Sequence, residues 1–239
     1  MKRLMITVTA LAAALLLAFA WLGYLGGNPF TIWRPTGYQA RPHAPVAIVL
    51  SGDMGLRFGM GTQVTRHLVH DGIPVVGINS LTYFRTTRTA ADATALVEDG
   101  IRRARSINPN ARIMLVGQSY GADMLHVGLA GLPVRARRQI ALVALVVPGA
   151  TVEYRASPGE LTTFAMAESD ALPTAKMLTW VPVTCIYGVA EAASLCPLLH
   201  QPNVRAVPLP GGHPLHRDVN AVYGAIRGAM IPLGLTERH

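Results

Sequence analysis

From Pro45 onward, continuous apolar runs alternate with stretches of helical periodicity. The runs are PVAIVL (45–50), PVVGIN (74–79), RIMLVG (112–117), IALVALVV (140–147), VPVTCIYG (181–188) and VRAVPL (204–209). Between them, TQVTRHLVHDG sets Val64, Leu68 and Val69 on one side, and ADATALVEDGIRRARS repeats the helical spacing. A further helix is expected from Tyr120 to about Ala130, and DVNAVYGAIRGAM closes the pattern as another. Runs that are apolar throughout, rather than at every second position, belong to strands buried on both faces of a parallel sheet. Right-handed crossovers between such strands give a doubly wound, mostly parallel α/β domain over residues 45–239. Ligands in these sheets sit beyond the carboxyl ends of the strands. Residues 28–44 carry three prolines without clear periodicity and read as a linker. Pro148 to Thr179 is the least regular stretch of the domain, either a small lid or a long connection.

The beginning of the chain has a different pattern. Lys2 and Arg3 precede a segment free of charge from Leu4 to Gly27. A basic head followed by an apolar stretch is an export signal, and Ala18–Phe19–Ala20 offers an A-x-A cleavage site. The stretch is also long enough to span a bilayer uncleaved, with the basic end on the cytoplasmic side. Residues 1–27 are therefore expected to be a signal peptide or a membrane anchor, with the remainder exported in either case. The formal charge of +8 over 239 residues favours anionic partners. Its arginines are scattered, as in RRAR (102–105) and RARR (135–138), and lack the aromatic–basic ladder or recognition motif of a nucleic-acid binder. Such scattered charge reads first as a solvated basic surface, with an anionic membrane lipid as the partner it could meet and nucleic acid not expected. Two cysteines, Cys185 and Cys196, permit a disulfide in an exported protein, or remain as two buried thiols.

The candidate chemistry falls at the predicted strand ends. Gly117-Gln118-Ser119-Tyr120-Gly121 fits G-x-S-x-G between a strand and a helix, the context of a nucleophile elbow. Serine there is forced onto a sharp turn, its Oγ projecting above the sheet. An unassisted serine is a weak nucleophile and needs a base. His213 follows the sixth apolar run and is the expected base, with His216 as competitor. Glu191 follows the fifth run and is the expected acid, orienting the imidazole; Glu153, Glu168 and Asp170 also lie between Ser119 and His213 in sequence. Serine, acid and histidine occur in the order of an α/β-hydrolase triad. The oxyanion hole is expected at the Tyr120 N–H and in SGDMG after the first run, at Asp53 or Met54. His213, His216 and Asp218 lack the spacing of a usual metal motif, so neither metal nor cofactor is expected.

IVLSGDMG, GIPVVGINSLTYF, GQSYGADML, CIYGVAEAASLCPLL and LPGGH together resemble the VirJ/AcvB bacterial virulence protein family, from about Val46 to Asp218. The resemblance implies a periplasmic α/β-hydrolase fold. It also implies serine hydrolase chemistry on aminoacylated phosphatidylglycerol, such as the lysyl form, and an association with type IV secretion. Met54 and Leu56 stand where the family has glycine and tryptophan, Asn79 where it has aspartate, and Ala193 where it has aspartate. The changes at Met54, Leu56 and Ala193 motivate a second expectation, a non-catalytic binding or chaperone protein on the same fold linked to type IV secretion.

Overall fold

A computed structural model describes residues 2–156 and 169–236. Seven strands form one sheet: β1 (Phe30–Trp33), β2 (Pro45–Leu50), β3 (Val75–Ile78), β4 (Arg112–Gln118), β5 (Ile140–Val146), β8 (Val183–Gly188) and β9 (Val204–Leu209). Their spatial order is β1-β3-β2-β4-β5-β8-β9. All neighbours are parallel except β1, which pairs antiparallel with β3. The six apolar runs are the six parallel strands. Helices α2 (Met60–His70) and α8 (Val219–Met230) cover one face, and α4 (Ala90–Ile107) and α5 (Tyr120–Ala130) the other. Strand β2 shows why no alternation was visible. Val46, Ile48 and Leu50 pack toward α4 and α5, while Ala47 and Val49 pack toward α2 and α8. Both faces are buried, so both sets must be apolar.

The α4 helix starts at a capping box, in which Thr89 accepts from the Asp92 N–H and the Asp92 carboxylate accepts from the Thr89 N–H. A short helix α3 (Ser80–Phe84) follows β3 under an Asn79 cap. In the irregular region, β6 (Thr151–Val152) pairs with β7 (Ser169–Asp170), followed by α7 (Leu172–Lys176). Residues 157–168 lie outside the described residues, and with them Glu168 and the middle of the stretch expected to be a lid or connection.

The reading of residues 28–44 as a linker needs correction. Phe30–Trp33 is the antiparallel edge strand, and the Trp33 ring lies across Gly77 of β3. A four-residue strand, exposed on one side and flanked by turns, carries too little periodicity to be seen in sequence. At the start of the chain, α1 (Lys2–Leu22) contains an 18-residue apolar window, Met5–Leu22, that is long enough to cross a membrane; none of its residues is fully buried, and only its last turn packs on the domain.

His126 lies on α5 with no exposed surface; its Nδ1 is 2.9 Å from Thr174 Oγ1 on α7, and its Nε2 has no hydrogen-bond partner among the described residues. Burial lowers its pKa to about 3. The folded state therefore holds it neutral, while the unfolded chain takes up a proton below about pH 6.5. Stability from this group is complete above that pH and is lost as pH falls toward about 3. The urea midpoint of the native chain is expected to drop between pH 7.5 and 4.5 by more than that of His126→Gln. Parallel curves for the two proteins would rule out His126 as the titrating group.

Candidate active site

Ser119 sits between the last residue of β4 and the first of α5, with φ 52° and ψ −127°. This is a backbone conformation that costs a non-glycine residue on the order of 1–3 kcal/mol. The flanking glycines permit it. A Cβ on Gly117 would lie 2.5 Å from Ala122 Cα, and one on Gly121 would lie 2.3 Å from the Ser51 carbonyl oxygen. Strand, turn and helix are thus pressed together at two points where only hydrogen fits. The turn is also held by hydrogen bonds: the Ser119 N–H donates to Val146 O at 2.8 Å, and the Ala122 and Asp123 N–H groups donate to Ser119 O at 2.6 and 3.2 Å. Tyr120 occupies the first position of α5, where a helix leaves its N–H without an intrahelical acceptor. Its ring packs edge-on against Phe84, and burial raises the pKa of its phenol.

His213 lies four residues beyond β9. Its Nε2 is 2.8 Å from Ser119 Oγ, and its Nδ1 is 2.5 Å from Glu191 Oε1. The imidazole side chain is 44% exposed and the Glu191 side chain 10%, so the chain of contacts runs from the solvent-facing mouth into the fold. Glu191 Oε2 is buried without a hydrogen-bond partner among the described residues. A carboxylate with one oxygen on the imidazole and one enclosed has little freedom to turn away.

The loops carrying these two groups are tied to each other and to the sheet. The Val189 N–H donates to Leu209 O and the Ala190 N–H to Gly211 O, joining the acid loop to the histidine loop. On its other side the acid loop meets the segment after β5: Ala150 N–H donates to Ala193 O, and Leu195 N–H to Pro148 O. A Cys185–Cys196 disulfide, 5.4 Å between Cα atoms, closes the base of the loop. Ala193 is exposed and contributes through its backbone carbonyl. The carboxylate on the imidazole belongs to Glu191, two residues earlier.

The other residues singled out in the sequence fall elsewhere or nearby. Asp53 and Met54 lie in the loop after β2; the start of that loop packs on the nucleophile turn, where a Cβ on Gly52 would be 3.0 Å from Gln118 Oε1. His216 does not meet Ser119 in a hydrogen bond and packs instead against Gly211. It belongs to a run of three left-handed residues, Leu215 to Arg217, directly after the histidine loop. Asp170 Oδ1 accepts the Leu172 N–H at the start of α7. Asp123 was missed, because an acid in the first turn of a helix reads as an ordinary partner of the helix dipole. Its carboxylate accepts the Gly149 N–H at 2.9 Å. Burial raises its pKa to about 8, against the pull of that N–H and of His213 and with the support of Glu191 and Glu153. It is mostly protonated at neutral pH, which keeps a second negative charge away from Glu191.

A mostly parallel sheet with helices on both faces, and a serine, histidine and glutamate joined in series at the strand ends, define an α/β-hydrolase-fold protein. The chain belongs to the VirJ family of bacterial virulence proteins, whose profile matches residues 44–231. No individually curated protein sequence matches it. Among solved structures it resembles the Est1E protein of Butyrivibrio proteoclasticus in complex with ferulic acid, at 14% identity and TM-score 0.62, covering 85% of this chain and 94% of that one. It also resembles XC6422 of Xanthomonas campestris, an α/β serine hydrolase without a lid (17%, TM-score 0.57, covering 85% and 88%). An α/β serine hydrolase homologue of Coxiella burnetii is similar at 16% identity and TM-score 0.55, over 83% and 90%.

Replacing both Cys185 and Cys196 with alanine is expected to lower stability by about 3 kcal/mol, from the entropy of the loop released in the unfolded chain. Guanidinium unfolding measures it, and an unchanged midpoint would mean that the disulfide adds nothing the packing does not already supply.

Proposed function

We propose that this protein is an exported serine hydrolase acting on a carboxylic ester. The observation that carries this reading is the unbroken series Ser119 Oγ, His213 Nε2, His213 Nδ1, Glu191 Oε1. As Oγ attacks the ester carbonyl, Nε2 takes its proton and Glu191 stabilises the imidazolium. The carbonyl oxygen becomes an oxyanion, received by the Tyr120 N–H and by an N–H of the Asp53–Met54 loop. The intermediate collapses to an acyl-serine, and the alcohol leaves with the proton held on Nε2. Water, deprotonated by the same nitrogen, then releases the acid and restores the serine.

An exported location is supported by the apolar α1 and by the disulfide, a bond characteristic of oxidising compartments. The substrate class proposed is an aminoacyl ester of phosphatidylglycerol, such as the lysyl form, as the family resemblance implies. The net positive charge of the chain suits an anionic lipid surface, and Asp53 is the proposed partner for a cationic aminoacyl group. The alternative, a binding protein serving type IV secretion without catalysis, gives no reason for a strained serine to face a histidine oriented by a carboxylate.

Ser119→Ala is expected to abolish labelling by a fluorophosphonate and to lower ester hydrolysis at least about 10³-fold. His213→Ala should do nearly the same. Glu191→Gln should lower kcat by about 10²–10⁴, because the imidazole loses the partner that fixes its tautomer. Label retained in Ser119→Ala would remove Ser119 as the nucleophile. A folded Ser119→Ala that fully complements a deletion strain would favour the binding protein.

A further inference from the structure

The end of α1 is built into the same loop that borders Ser119. The Leu22 carbonyl accepts from Asn79 Nδ2 at 3.1 Å, and the opposite atom of that amide, Oδ1, accepts the Thr82 N–H. Asn79 thus joins the helix that precedes the domain to the cap of α3. Gly55 packs beneath this junction; a Cβ there would be 2.9 Å from Asn79 Oδ1 and 3.2 Å from Leu22 O. Three residues on, the Phe58 ring meets Trp21 edge-on at 5.1 Å between centroids, and the Arg57 guanidinium lies 4.8 Å above the Trp21 ring. One short loop therefore touches the nucleophile turn at Gly52 and the end of α1 at Arg57 and Phe58.

Those contacts leave apolar surface uncovered. Phe58 is 52% exposed and Trp21 49%, with Met54 and Leu25 also exposed beside them. The patch is continuous with an apolar helix, whose membrane-length window touches the domain only at its last turn and has no fully buried residue. Tryptophan at the end of such a helix belongs at the headgroup level. Arg57 is exposed over Trp21 and the Arg85 guanidinium lies against Gly26, so two cationic groups flank the end of α1, and cationic groups there are drawn to anionic headgroups.

We propose that α1 is retained as an anchor and that Trp21, Leu25 and the 54–58 loop form a seat on the anionic headgroup layer of the bilayer α1 crosses, holding the mouth of the Ser119 site against that surface. The inference rests on the ester-hydrolase reading of the site and adds where its substrate is taken from: the same membrane, without release into solvent. It also gives the Asn79 junction a purpose, since a loosely tethered domain would not keep one orientation.

The full chain carries its two cysteines in a disulfide, so Phe58→Cys, Leu25→Cys and Val134→Cys can each be labelled selectively. Val134 is exposed at the opposite end of the sheet, beyond the C-terminus of α5, and serves as the reference. In proteoliposomes of phosphatidylcholine and phosphatidylglycerol containing a headgroup-level spin-labelled lipid, labels at 58 and 25 are expected to be quenched about threefold more than the label at 134. Equal quenching at the three positions would overturn the seat. A membrane-fraction protein whose first residue is Trp21, cut after Ala20, would overturn the retained anchor. Hydrolysis of a water-soluble ester by the same preparation separates the two readings. Hydrolysis without differential quenching defeats the seat alone, and differential quenching without hydrolysis defeats the hydrolase alone.

Discussion

Everything at this site depends on the chain turning from β4 into α5 within a single residue. Ser119 carries that turn in a left-handed conformation, and the turn is possible because Gly117 and Gly121 let backbone meet backbone where a methyl group would collide. The strain is offset by burial on all sides: β4 is a central strand, and α5 is apolar around nearly its whole circumference. Ser119 is consequently fixed by the most buried part of the molecule while its hydroxyl remains accessible.

The partners of that hydroxyl are held differently, by loops at the β8–β9 side of the sheet. Backbone hydrogen bonds from Val189 and Ala190 fasten the acid loop to the histidine loop, and Ala150 and Leu195 fasten it to the segment after β5. The disulfide adds a covalent limit. Ala193 serves this arrangement through its backbone carbonyl, while the carboxylate comes from Glu191. Asp123 completes the electrostatics by staying mostly protonated beneath this pair at neutral pH. An ionised neighbour there would compete with Glu191 for the imidazolium.

The loop after β2 links chemistry to location. Its first residues abut the nucleophile turn and its last ones abut the end of α1. Under the proposed function, a hydrolase of a membrane ester has two problems, binding the reacting group and approaching the surface that holds it, and one loop would border both.

The alternation of doubly apolar runs with helical stretches was sufficient, in sequence, to define the parallel sheet, since strands buried on both faces have no polar positions to spare. G-x-S-x-G marked the elbow, because the sterics of a one-residue turn leave little choice of neighbours, and the order of Ser119, Glu191 and His213 followed from strand ends. Other features were decided only by the tertiary structure. Edge strand β1 was hidden among prolines because its residues pair on one side alone. Asp123 was invisible because burial, and not residue type, raises its pKa. The contact between Asn79 and Leu22 spans 57 positions and has no sequence signature at all. Periodicity records which faces are buried; which loops then meet, and which groups lose their water when they do, depends on packing in three dimensions.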